Sequence, residues 1–139
     1  MAIRTYREQL KTRGQAEILD ITPLAAKTLQ ESGLKDGVMN VFVPGSTAAV
    51  TTIEFESGAI RDLRAALERL APESLRYEHD QRWGDGNGYS HVRAALMKPN
   101  LAIPFAEASL LLGTWQQIVF IDFDNRPRMR EIIFQIMGE

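Results

Sequence analysis

Apolar positions alternate with polar ones or run together near both ends of the chain, which predicts strands there, and recur at helical spacing between them. Residues 4–10 and 16–21 read as two strands joined by a turn at Arg13-Gly14. Thr22-Pro23 then opens a helix, with threonine at the N-cap and proline at the first helical position, where a missing N–H costs nothing. Gly33 closes that helix, since glycine tolerates positive φ. Residues 37–43 read as a strand ending at Pro44, and the Thr-, Val- and Ile-rich residues 47–55 as a second strand after a tight turn at Gly45-Ser46. Ile60, Leu63, Leu67 and Leu70 share one helical face, with Arg61, Arg64, Glu68 and Arg69 largely off it and Pro72 as the stop. Residues 76–90 are polar and interleaved with Gly84, Gly86 and Gly88, and read as a long loop of the kind that carries function or moves. A short helix is expected over 91–97, then strands over 101–105, 109–112, 115–123 and 130–137. The pattern predicts one α+β domain over 1–139 with a largely antiparallel sheet.

Composition narrows the function classes. A chain of 139 residues with 45% hydrophobic and 24% charged residues has material for one sizeable core and is not disordered. Sixteen basic against eighteen acidic residues, a net charge of −2, weighs against a nucleic-acid partner. Without cysteine there is no disulfide, thiolate metal site or cysteine nucleophile. No stretch approaches the roughly 18 apolar residues of a membrane span. The first residues lack the apolar core of a signal peptide, so a cytoplasmic location without membrane association is expected.

Few residues can carry chemistry. His79 and His91 are the two histidines and bracket the glycine-rich stretch. They can act as acid and base, or as metal ligands beside a carboxylate, although their spacing matches no tight metal motif and solvated surface histidines are the alternative. Glu54 and Glu56 stand two apart in a strand-like stretch and face one side, as metal-binding or acid–base carboxylates or simply as an exposed edge. Pro44-Gly45-Ser46-Thr47 offers hydroxyls and backbone N–H groups for a phosphate, without the lysine or spacing of a P-loop. Asp122 interrupts an apolar run and needs a partner if buried, and Asp124-Asn125-Arg126-Pro127 is turn chemistry. Thr114, Gln116 and Gln117 surround Trp115 at the mouth of the strongest predicted strand, where polar groups can meet a ligand.

Taken in order, these segments resemble the YjbQ family, often described as secondary thiamine-phosphate synthases. The resemblance runs through Gly-Ser-Thr-Ala-Ala-Val (45–50), Tyr-Glu-His (77–79), Asn87 to His91, Ile103-Pro104, Leu-Gly-Thr-Trp-Gln-Gln-Ile (112–118) and Asp-Phe-Asp (122–124), and covers the chain from about residue 1 to its end. It implies a bulged, jelly-roll-like antiparallel β-sandwich with helices packed on it, assembled as a homotrimer. It also implies an activity that joins a pyrimidine diphosphate to a thiazole phosphate and releases pyrophosphate. On that footing Ser46, Thr47, Asn87, Arg93, Thr114 and Gln116 would hold a small phosphorylated molecule. His79 and His91 would donate protons or form a partial site for Mg²⁺ or another divalent metal. Glu54 would ligate the metal or fix a histidine. The commoner family form has His-Thr-Thr where this chain has Gly45-Ser46-Thr47, and many members carry a histidine where Tyr89 stands, so a three-histidine metal site is not expected here. The alternative is a non-catalytic trimer that binds a small anion or metabolite in the same pocket.

Overall fold

The computed structural model describes residues 1–139. Strict alternation sets its frame. Along β1 (Ala2–Thr12) and β8 (Arg128–Gly138), even-numbered positions turn inward, and the two strands pair antiparallel over their full length, from Ala2 opposite Gly138 to Thr12 opposite Arg128. β3 (Gly37–Phe42) joins the other side of β8, and β5 (Asn100–Ala106) with the two-residue β6 (Ser109–Leu110) completes a five-stranded sheet ordered β1-β8-β3-β5-β6. A three-stranded antiparallel sheet, β2-β7-β4, faces it, built from β2 (Glu17–Asp20), β7 (Gln117–Asp122) and β4 (Ala48–Ile53).

β7 explains the layering. Its residues are buried on both faces, so period-2 alternation sends Ile118 and Phe120 one way and Val119 and Ile121 the other. The first pair enters the main core, with Met39, Val41, Ile132, Phe134 and Ile136 of the large sheet and Ala25 and Leu29 of α1 (Thr22–Ser32). The second pair enters a smaller core, closed by Leu67 of α2 (Ser57–Leu70) and Ala94 of α4 (Gly88–Met97). The expected α+β architecture, an antiparallel sandwich with helices packed on it, is the one observed.

Several local expectations shift. Helix α1 begins at Thr22 itself, behind Ile21, which makes no side-chain cap. The Thr22 hydroxyl instead accepts the Ile118 N–H at 2.9 Å, tying the helix to β7. Gly33 does end α1, at φ 71°. The strand expected over 47–55 stops at Ile53, because the Glu56 carboxylate caps α2 by accepting the N–H groups of Gly58 and Ala59 at 2.6 and 2.8 Å. Those backbone bonds hold the Glu56 carboxyl below its ordinary range. The polar stretch 76–90 is not a continuous loop: it contains α3 (Glu78–Trp83), ended by Gly84 at φ 70°, and the start of α4. β7 begins at Gln117 rather than 115, since the Gln116 N–H and the Gly113 carbonyl close a turn at 3.0 Å that leaves Trp115 exposed.

The Arg13-Gly14 turn requires glycine. Gly14 sits at φ 77°, and a Cβ there would stand 2.6 Å from the Asp124 carbonyl oxygen and 2.7 Å from that of Arg126. Gly14→Ala is expected to destabilise the fold by about 2 kcal/mol or more. Urea denaturation checks this, and an unchanged midpoint would contradict it.

Candidate functional site

The alternation that builds the core also places charge at one end of it. Asp122 continues the inward row of Ile118 and Phe120, and Arg130 and Arg128 continue the inward row of Phe134 and Ile132, so the rows turn ionic at the same open end of the sandwich. Asp122 has no solvent exposure and Arg130 grips it with two bonds, Nε to Oδ2 at 2.7 Å and Nη2 to Oδ1 at 2.8 Å. The Thr12 hydroxyl donates to Asp122 Oδ2 at 2.5 Å, and the Asp124 N–H to Oδ1 at 3.0 Å. Burial pushes the Asp122 carboxyl up, but bonds from Arg130, Thr12 and the Asp124 backbone outweigh it and hold the carboxyl below the usual range. Asp124 is also fully buried. It accepts from the Asn125 N–H at 2.8 Å, Asn87 Nδ2 at 3.3 Å and Arg128 Nε at 2.6 Å, and these overcome the burial effect and keep it ionised. Arg130 Nη2 also reaches the Thr47 hydroxyl at 2.7 Å, which in turn donates to Asp124 Oδ2 at 3.2 Å.

Above this network lies a cleft of about 350 Å³. The β3–β4 loop supplies Gly45, Ser46 and Thr47; α3 and α4 supply His79, Trp83 and His91; the turn between those helices supplies Asp85 and Asn87; β8 supplies Arg128 and Arg130. Two contacts fasten α3 to α4. Gly88 lets the helices meet, since a Cβ there would stand 2.4 Å from Tyr77 Cβ, and its N–H donates to Asp80 Oδ1 at 2.8 Å. The imidazoles of His79 and His91 are thereby stacked at a tilt of 40°, with ring centroids 4.2 Å apart. Burial, then the neighbouring His79, lowers the pKa of His91, which is neutral at neutral pH. His79 Nδ1 lies 3.4 Å from Asp85 Oδ1 and 3.7 Å from Asp80 Oδ1 and is buried without a hydrogen-bond partner. Asn87 Oδ1 is also buried and unpaired. The donor atoms of His79, Asp80 and Asp85 lie within 4.8 Å of one another, a spacing a metal ion can bridge. A larger hollow of about 560 Å³ near Lys11, Arg13 and Glu17 gathers no histidine, and there Arg13 and Glu17 pair with each other. The smaller cleft is where chemically able groups converge.

Over residues 6–139 the chain matches the family model described as UPF0047 protein YjbQ-like. The protein belongs to the YjbQ-like UPF0047 family. A UPF0047 protein of Methanothermobacter thermautotrophicus is 35% identical over the whole chain and 95% of its own length, and one of Archaeoglobus fulgidus is 34% identical over 92% of this chain and 97% of its own. Among solved structures, a YbjQ-like protein of unknown function from Sulfolobus solfataricus P2 superposes with a TM-score of 0.89 at 28% identity, covering 99% of this chain and all of its own. An uncharacterized conserved protein of the yjbq/upf0047 family from Clostridium acetobutylicum gives 0.87 at 34% identity, covering 95% and 99%.

Within this family member, Ser46, Thr47, His79, Asn87 and His91 meet in the cleft. Four other residues expected at the site do not. Glu54 is exposed beyond Ile53, at the far end of β4, roughly 20 Å along the strand from Ala48. Thr114 and Gln116 lie at that same far end, where Gln116 Nε2 donates to Thr52 Oγ1 at 3.2 Å. Arg93 is buried and bonded within the protein: Nε donates to the Ala71 carbonyl at 3.0 Å, Nη2 pairs with Glu68 at 2.5 Å, and the guanidinium lies 5.0 Å from the Tyr89 ring centroid. It is a packing residue between α2 and α4 and does not face a phosphate. Tyr89 is buried too, outside the cleft. Sequence reading missed Asp85, Arg128 and Arg130. The signal for the arginines was their even-numbered place in the β8 alternation, two and four positions before Ile132.

Asp122→Asn should cost about 3 kcal/mol at neutral pH, because it leaves the largely covered Arg130, 11% exposed, against an uncharged partner. The sign of the acid dependence follows from the depressed carboxyl. Stability from Asp122 is fully present above the unfolded-state value of about 3.9 and is lost as pH falls through the lower folded value. Denaturant midpoints between pH 7 and 2 should therefore fall less steeply for the variant at the acid end; parallel curves would contradict the pairing.

Proposed function

We propose that this cleft binds a phosphorylated small molecule and, with a divalent cation, transfers a group between two such molecules. The reaction it fits is the joining of a pyrimidine diphosphate to a thiazole phosphate with release of pyrophosphate. The observation that carries this reading is the convergence of Ser46, Thr47, Asn87, Arg130 and the stacked His79 and His91 on one cleft.

Charge supports the cation. Arg128 and Arg130 are matched one for one by Asp124 and Asp122, so Asp80 and Asp85 leave the surroundings formally negative, which alone would repel a diphosphate. The buried, unpaired Nδ1 of His79 between two carboxylates fits a divalent ion there, and an imidazole in the donor set favours a transition ion over Mg²⁺. A cation bound at His79, Asp80 and Asp85 would neutralise charge on the leaving diphosphate. In the transfer, the thiazole ring nitrogen gives its lone pair to form a C–N bond at the carbon carrying the diphosphate as the C–O bond there breaks, and the diphosphate leaves with that bond's electron pair. Ser46 and Thr47 hold phosphate oxygens, Asn87 orients a polar edge of the substrate, and neutral His91 accepts a hydrogen bond from the substrate.

A binding-only protein is the second reading, favoured by Gly45, which brings no side chain to the cleft, and by Tyr89, which is buried outside it. Turnover from pyrimidine diphosphate and thiazole phosphate, with and without Mn²⁺ or Mg²⁺, separates the two. The transfer reading expects activity that falls at least ~100-fold in His79→Ala and His91→Ala. Equal turnover in wild type and variants, or none in any, moves the conclusion to metabolite binding.

The reading includes self-association as a homotrimer. Ile3, Met137 and Val38 lie in register across β1, β8 and β3 and are each exposed, an apolar row suited to a contact that closes a ring. Sedimentation should give a trimer for the wild type and a monomer for Met137→Glu; a monomeric wild type would remove this part of the proposal.

A further inference from the structure

We infer that the Gly45–Thr47 loop and the outer edge of Arg130 form the phosphate subsite of this cleft, and that the bare backbone at position 45 is what keeps that subsite open. The inference deepens the reading that the cleft takes a phosphorylated molecule and rests on it.

Arg130 commits Nε and Nη2 to Asp122 and Thr47, and its Nη1 makes no hydrogen bond within the protein. A Cβ at Gly45 would stand 3.4 Å from Nη1 and 3.8 Å from Val43 Cγ1. Nη1 therefore lies beside the place where any other residue would project its side chain. Ser46 and Thr47 belong to no strand, and their backbone N–H groups donate to no acceptor within the protein. Successive unpaired amide donors beside a fixed guanidinium edge form the donor set that phosphoryl oxygens take, with charge-assisted bonds from the arginine.

The arrangement is preorganised. The two bonds to buried Asp122 fix the guanidinium plane, and the Thr47 hydroxyl is held between Arg130 and Asp124, so the loop and arginine meet a ligand already in place. Because Asp122 neutralises Arg130, selectivity comes from the direction of the donors rather than from a general positive field. A phosphoryl group, with three oxygens to share between Nη1 and two amides, fits better than a carboxylate with two. Inorganic phosphate and pyrophosphate present the same oxygens and serve as probes for a monoester or a diphosphate end.

Gly45→Ala and Gly45→Val test the subsite while keeping both members of the Asp122 pair. Position 45 does not adopt a positive φ, so both substitutions are compatible with the backbone. Inorganic phosphate and pyrophosphate are titrated calorimetrically into wild type and both variants, and Mn²⁺ is titrated separately into each. The expected result is anion affinity falling from wild type to alanine to valine, by at least about tenfold for valine, with Mn²⁺ affinity equal in all three. Arg130→Lys, which keeps a charge against Asp122 but lacks Nη1, should reproduce the valine loss. Equal anion affinity in wild type and the Gly45 variants overturns the subsite and leaves the phosphorylated-substrate reading standing. Absence of phosphate and pyrophosphate binding in the wild type, with or without Mn²⁺, overturns both.

Discussion

The buried pair of Arg130 and Asp122 joins the two sheets at the open end of the sandwich, and the site is assembled from its remaining bonds. An isolated carboxylate with no solvent exposure would be far too costly to keep ionised, and removing one partner of such a pair costs several kcal/mol. Asp122 is satisfied on both oxygens, by a guanidinium, a hydroxyl from β1 and a backbone N–H from its own turn. Arg130 in turn reaches the Thr47 hydroxyl of the β3–β4 loop, and Asp124, positioned by its N–H bond to Asp122, orders Asn87 and Arg128. A disturbance of the pair therefore reaches the strand ends, the loop and the helical wall of the cleft together. A half-satisfied network would be worse than an apolar one, so these residues are constrained as a set.

Much of this is legible along the chain, because sheets obey a period of two. The inward rows of β1, β7 and β8 follow from alternation, and so does the need of Asp122 for a partner in an apolar run. What alternation does not reveal is which charged residue from another strand answers that need. Arg130 and Arg128 look like solvated charges beyond a turn until the register of β8 against β1 and β3 is known. Arg93 fails in the opposite direction. Only two residues from His91 it looks available to a ligand, yet it lies on another face of α4, where packing against α2 brings Glu68 and the Ala71 carbonyl to it. Glu54, Thr114 and Gln116 were joined to the histidines by motif order, while the antiparallel pairing of β4 with β7 carries them to the opposite end of the sheet. The helix inside 76–90 was hidden because six residues bounded by glycine show no apolar period.

The two walls of the cleft are polar in opposite senses. On the helical wall stand the carboxylate of Asp85, the unpaired Oδ1 of Asn87 and the unpaired Nδ1 of His79, with the Asp80 carboxylate beside that imidazole. On the other side, Arg130 Nη1 and the amides of Ser46 and Thr47, residues that line the cleft, donate to no acceptor within the protein. Buried polar atoms without partners cost about 1–3 kcal/mol each, and native proteins keep few of them. Here two such atoms belong to residues that line one cleft. A free anion would satisfy only the donor wall and would face the two carboxylates across the cleft. A free cation would satisfy only the acceptor wall. The proposed phosphoryl ligand accompanied by a divalent ion would offer oxygens to one wall and positive charge to the other, so neither would be left uncompensated.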